Sequence, residues 1–164
     1  MTVSVQENDF DAGAEIAALC AGRTDVGAVA SFIGLVRDLA PADRPDAAKN
    51  AGPTHMTLEH YPGMTERQIE AIVAQAEQRW PLLATRVVHR FGRLAGGDQI
   101  VLVAVASAHR AAAFDACAFI MDWLKTQAPF WKLEQIGDGP GTWVDARDSD
   151  DTAAQRWAEK QNNP

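Results

Sequence analysis

The stretch Gln99 to Ala106, QIVLVAVA, constrains the fold of this chain more than any other segment. Seven of its eight residues are apolar and four, Ile100, Val101, Val103 and Val105, are β-branched, without the polar alternation of a strand that faces water on one side. They predict a strand covered on both faces. The residues that follow, from about Ala108 to Gln127, carry a helical pattern that Pro129 ends. A second long helix is marked by Ile69, Ile72, Val73, Ala76 and Trp80, at i, i+3, i+4, i+7 and i+11. Thr65 with Gln68 resembles a capping box at its start, and Pro81 closes it.

The remaining pattern is strands and one short helix. Asp11 to Ala21 reads as a helix with Ile16 and Leu19 on one face, and Val26 to Val36 as a strand. Further strands are expected over Met56 to Tyr61, Arg86 to Phe91, Trp131 to Gln135 and Thr142 to Val144, with Gly96-Gly97-Asp98 as a turn. Between Asp38 and His55 the pattern stops; three prolines and few large apolar residues make this a mobile surface loop. Neither the N-terminal segment nor the tail after about Trp157 carries a useful signal. Two amphipathic helices among hairpin-connected strands specify an α+β class with largely antiparallel sheet, in one domain spanning 1–164.

With 15 Lys and Arg against 22 Asp and Glu, the formal charge of −7 disfavours nonspecific attraction to nucleic acid or anionic membrane. Any anion site has to be assembled locally. The longest apolar run, Ile100 to Ala106, is too short to span a bilayer, and MTVSVQENDF lacks the basic and apolar regions of a signal peptide. Cys20 and Cys117 form neither a zinc-ligand pattern nor a disulfide framework, so a cytoplasmic protein is expected. His60, His89, His109 and Cys117 include no local ligand pair, so no metal site is expected. The glycines lack the order strand, G-x-G-x-x-G, helix, there is no Walker loop, and no cofactor is called for.

The segment Ser107 to Lys132, SAHRAAAFDACAFIMDWLKTQAPFWK, holds charges where packing would not choose them. His109 and Arg110 fall in the first turn of a helix, where the macrodipole favours anions. They read either as an anion clamp built with the free backbone N–H groups, or as a solvated arginine beside a capping histidine. Lys125 continues a mostly apolar stripe at i+11 from Phe114, i+7 from Ala118 and i+4 from Met121. A partly buried lysine there is either an acid, base or nucleophile, or a snorkelling side chain at a helix end. Lys132 follows Phe130 and Trp131, and an extended strand would return its amine toward Lys125. Two amines beside an aromatic platform suit a flat, anionic heterocycle. Arg37, closing GLVRD, and Arg147, after WVDA, reach either the same site or surface ion pairs. His60 and His89 lie in strand patterns and read as structural histidines.

Taken together, FIGLVRD (Phe32 to Asp38), LEHYPGM (Leu58 to Met64), HRFGRLAGGD (His89 to Asp98), SAHRAAAFDA (Ser107 to Ala116), FIMDWLKTQAPFWK (Phe119 to Lys132) and WVDARDSD (Trp143 to Asp150) resemble the large, catalytic subunit of molybdopterin synthase. The resemblance runs from about Val26 to Trp157 in the family's order. It implies an α/β hammerhead-type fold that dimerises and binds one small ubiquitin-like subunit at each end, a heterotetramer overall. That partner carries sulfur as a C-terminal thiocarboxylate, which enters a pocket beside cyclic pyranopterin monophosphate; two transfers install the dithiolene. The resemblance further implies that Lys125 and Lys132 are the catalytic pair. It assigns Arg37, His109, Arg110 and Arg147 to the phosphate and pterin, with no metal or cofactor. The loop from Asp38 to His55 departs from the family's short turn. Two other classes fit parts of the sequence: a non-catalytic module that docks a partner by β-augmentation, which needs no paired lysines, and a hydrolase or lyase, which needs a water-activating base or metal that the motifs lack.

Overall fold

A computed structural model describes residues 2–38, 46, 49, 50, 52–144, 152 and 155–157. Within them the order is β1 (Val3–Gln6), α1 (Ala12–Cys20), β2 (Ala28–Leu35), β3 (Thr54–His60), α2 (Met64–Arg79), β4 (Leu82–Arg90), β5 (Gly92–Ala95), β6 (Gln99–Ser107), α3 (Arg110–Thr126), β7 (Phe130–Ile136) and β8 (Thr142–Val144). The strands form two four-stranded sheets, in the orders β1-β4-β6-β2 and β5-β3-β7-β8. Only the β1–β4 ladder is parallel; the others described are antiparallel.

The apolar run of β6 lies inside the first sheet, and Leu102 to Ala106 have no exposed surface. On one face Val87, Val101, Val103 and Val105 pack against Ile69, Ile72, Val73 and Ala76 of α2 and against Ala113, Ala116, Ile120 and Leu124 of α3. On the other, Val88, Leu102 and Ala104 meet Phe10 and, beneath α1, Ile16 and Leu19. The expectation of two covered faces holds, because a strand without polar alternation has no side it can offer to water. Burying each such Val or Leu contributes about 1.5–3 kcal/mol. A pair of short hydrogen bonds from Arg86 to Glu15, 2.7 and 2.9 Å, fastens α1 to β4. The Arg86 guanidinium holds the Glu15 carboxyl below its ordinary range, chiefly through those hydrogen bonds.

The helix starts are set by local chemistry. Asp11 caps α1 by accepting from Ala14 N at 3.0 Å. At α2 the capping residues differ from the expected Thr65 and Gln68. Gly63, at φ +77°, precedes the helix and its N–H donates to Glu66 Oε2 at 2.7 Å, while the Thr65 hydroxyl donates to Tyr61 O at 3.1 Å. At the entry to β2, Gly27 passes so near Ala108 that a Cβ there would lie 2.2 Å from that residue's carbonyl oxygen. The start of β2 and the start of α3 are therefore in direct contact.

Two strands went unmarked in the sequence. The N-terminal segment forms β1, which pairs in parallel with β4, and β5 carries the chain from β4 into the second sheet before the Gly96–Gly97 turn returns it to β6. Val36 N donates to Asp98 O and Gly97 N to Val36 O, both at 2.8 Å, tying the end of β2 to that turn. Val36, Met56, Leu58 and Leu94 fill the seam between the sheets. The loop expected over Asp38 to His55 lies mostly outside the described residues, but its ends meet: Thr54 N donates to Asp38 Oδ1 at 2.8 Å. Trp157 is buried against Trp80 and Phe119, and its indole N–H donates to Asp122 Oδ2 at 2.7 Å. No helix among the described residues is long and apolar enough to cross a membrane.

Candidate active site

A cleft of about 660 Å³ opens beside the seam between the two sheets, walled by the end of β2, the last turns of α3, β3 and β7. Three cations expected at a site line it together: Arg37, Lys125 and Lys132. Each arrives by a different route. Arg37 follows β2, where the backbone bonds of Val36 to the Gly97–Asp98 turn set the direction of the chain. Lys125 occupies the last turn of α3, where buried Met121 and Leu124 carry it to the rim; the side chain itself is exposed, not partly buried as its place in the apolar stripe suggests. Lys132 stands in β7 opposite Leu58 of β3 and Val144 of β8, so the sheet register fixes its height in the wall. An acidic chain has concentrated positive charge in one place, the arrangement a phosphate or a carboxylate requires.

His109 and Arg110 do not line this cleft. His109 is the residue before α3, extended at φ −131° and making no side-chain cap bond, and Arg110 opens the helix; both are exposed. Arg147 lies outside the described residues. Fifteen positions separate Arg110 from Lys125 along α3, about 22 Å at 1.5 Å per residue.

Two cleft residues were not anticipated as functional. Glu134 pairs with Lys132, Nζ to Oε1 at 2.5 Å, and both side chains are partly buried. The signal was present in the sequence: two residues apart on one strand, Lys132 and Glu134 share a face. His89, read as a structural histidine, also lines the cleft. Its ring stacks on Phe130 at 3.8 Å and 16°, and its Nδ1 donates to Arg90 O at 2.9 Å. Burial depresses its pKa to about 4, the Arg90 hydrogen bond opposes that shift, and the nearby Lys125 ammonium adds to it. His60, by contrast, sits behind Phe130, with its ring 4.3 Å from Phe91 and 6.2 Å from Phe130. Cys117 is buried on α3 with its thiol facing Val103 O, and burial pushes its pKa up to about 11. Among the described residues no three His, Cys, Asp or Glu side chains gather in a way that would hold a metal ion.

The fold and cleft define an α+β domain that assembles an anion-receptive site where two sheets diverge. The family model described as MoaE protein matches residues 5–127, and the chain belongs to that family. A protein of Ralstonia nicotianae named molybdopterin synthase catalytic subunit is 58% identical over 156 residues, covering 95% of this chain and 84% of the relative. Molybdopterin cofactor biosynthesis protein E from Burkholderia multivorans superposes with a TM-score of 0.77 at 50% identity, covering 96% of both chains. The crystal structure of molybdopterin synthase from Staphylococcus aureus matches with a TM-score of 0.72 at 28% identity, over 85% of this chain and 94% of the other.

Proposed function

We propose that this chain is the catalytic subunit of a molybdopterin synthase, a cytoplasmic sulfurtransferase. It moves sulfur from the thiocarboxylated C-terminus of a small ubiquitin-like partner onto cyclic pyranopterin monophosphate, producing the dithiolene. The observation that carries this reading is the meeting of Arg37, Lys125 and Lys132 in one cleft of a chain whose net charge is −7. Both reactants are anions, so the cleft neutralises each as it enters and holds them near one another. The relatives' name, catalytic subunit, agrees with a second chain that supplies the sulfur.

In this reading Arg37 receives phosphate, and Lys125 and Lys132 face the reacting carbon. A lysine ammonium there donates the proton that a departing oxygen needs, and the amine left behind takes a proton from water or engages the reacting centre directly. Each sulfur delivered leaves a carboxylate on the partner's tail, with water supplying the oxygen. Two such transfers complete the dithiolene and open the cyclic phosphate. Glu134 holds Lys132 in the wall until an anion competes for it.

The active unit in this proposal is a homodimer carrying two small subunits, with His109, Arg110 and Arg147 serving the phosphate and pterin. Arg110 stands about 22 Å along α3 from Lys125, much farther than a pterin monophosphate extends, so one copy does not readily supply both. A two-fold axis brings the start of one α3 to the end of its mate. β2 is an edge strand, and its Phe32, Ile33 and Leu35 are 41%, 40% and 55% exposed, with Phe114 of the adjoining α3 at 65%. An apolar patch on an open strand edge is the surface a second copy would cover.

The test is reconstitution. The purified chain, incubated with thiocarboxylated small subunit and cyclic pyranopterin monophosphate, is expected to form dithiolene product by mass spectrometry and none when the thiocarboxylate is replaced by the carboxylate. Absence of product from folded protein with both reactants present would contradict the proposal.

A further inference from the structure

The cleft is rich in donors. Arg37, Lys125 and Lys132 offer only N–H groups, which suit phosphate and carboxylate oxygens but cannot receive a proton-bearing group. The strong side-chain acceptors at the cleft are Glu134, which Lys132 holds, and the imidazole of His89. That imidazole is fixed twice. Phe130 stacks on its face at 3.8 Å, and Arg90 O accepts from Nδ1, which must therefore carry the ring's single proton in the neutral form.

Nε2 is consequently an unprotonated lone pair. Among the described residues nothing hydrogen-bonds to it. His89 lines the cleft, which sets this lone pair in the cleft wall. Burial keeps the ring neutral across the physiological range, so the lone pair is available at neutral pH.

We infer that His89 Nε2 accepts a hydrogen bond from a ring N–H or the exocyclic amine of the bound pterin, and that this contact makes the cleft select a nitrogen heterocycle over any other phosphate. The inference rests on the function proposed above and adds a specificity residue to it. The division of labour is chemical: the cations hold what all phosphates share, and one fixed acceptor reads the N–H that only the heterocycle brings. A site built to pair such a group rejects ligands lacking it, because the buried acceptor is then left unmatched.

Calorimetric titration of the wild-type protein, His89→Leu and His89→Gln with cyclic pyranopterin monophosphate and, separately, with inorganic phosphate tests this. His89→Leu is expected to weaken pterin binding about tenfold or more while phosphate binding stays unchanged. His89→Gln, which keeps an amide oxygen as acceptor, is expected to recover most of the loss. A folded His89→Leu protein that binds pterin normally, or that loses pterin and phosphate equally, overturns the inference. Should the variants not fold, the wild-type protein labelled with ¹⁵N in its histidine rings decides. The His89 Nε2 resonance is expected to move upfield as pterin saturates the site and to stay in place with phosphate. Dithiolene formation with an unmoved Nε2 resonance removes this inference and leaves the function standing; failure to bind pterin or form product removes both.

Discussion

At its C-terminal end α3 delivers Lys125, an exposed side chain, into a cleft walled by β2, β3 and β7, whereas at its N-terminal end His109 and Arg110 are exposed and do not line that cleft. Between them the helix is core: Ala113, Ala116, Cys117, Ile120, Met121 and Leu124 are buried. The contrast shows that a helix can be structurally complete while the charged residues at its two ends belong to different places. The C-terminal lysine reaches the cleft because buried Met121 and Leu124 fix the last turn of α3. The N-terminal pair stands beside the contact of Ala108 with Gly27, and the role proposed for it depends on a second copy of the chain.

The contrast is sharpest at Lys125. Lys125→Ala is expected to lower turnover by about two orders of magnitude or more with the fold unchanged, the usual scale for losing a positioned acid, base or nucleophile. Steady-state rates together with a thermal melt check this, and a near-normal rate would return Lys125 to a solvated helix end. A smaller effect is expected at the other end. Arg110→Ala removes one charge-assisted contact to phosphate and is expected to raise KM about tenfold. An unchanged KM would leave the N-terminal end without a role. The middle of the helix should matter least to the chemistry. Its Cys117 thiol is buried and held protonated at neutral pH, with a pKa of about 11, so it is no carrier of sulfur. The doubly substituted Cys20→Ser, Cys117→Ser protein is expected to turn over within about twofold of wild type if it folds, since each substitution leaves the cleft untouched. Loss of sulfur transfer with folding and partner binding intact would break the account of where sulfur comes from.

How much of this was legible in the sequence follows from the range of the interactions involved. The apolar run of β6 and the stripe of α2 were readable because burial imposes a periodicity on consecutive residues. The two strands that went unmarked, β1 and β5, have four residues each, and their pairing with β4 and β3 depends on partners more than thirty positions away. The start of α2 was misplaced by two residues because Gly63 caps through its backbone N–H, which has no side-chain signature. Motif resemblance supplied the lysines and Arg37, and the structure brings those three together. His89 was read as a structural histidine, since its place in the cleft arises from the fold of β7, which lays Phe130 on it. Arg147 lies outside the described residues, so its role rests on the resemblance alone.

The central claim is that a working site draws Lys125 and Arg110 from two copies of the chain, and subunit mixing tests it most directly. Lys125→Ala and Arg110→Ala proteins, each assayed alone and then mixed in equal amounts under conditions where dimers exchange, are compared for dithiolene formation at substrate concentrations where each alone is slow. If sites are shared, half the dimers are mixed and each holds one intact site of two. About a quarter of wild-type activity should then return. If each site is built within one copy, every combination keeps at least one lesion in every site, and mixing would give no more than the average of the two variants alone.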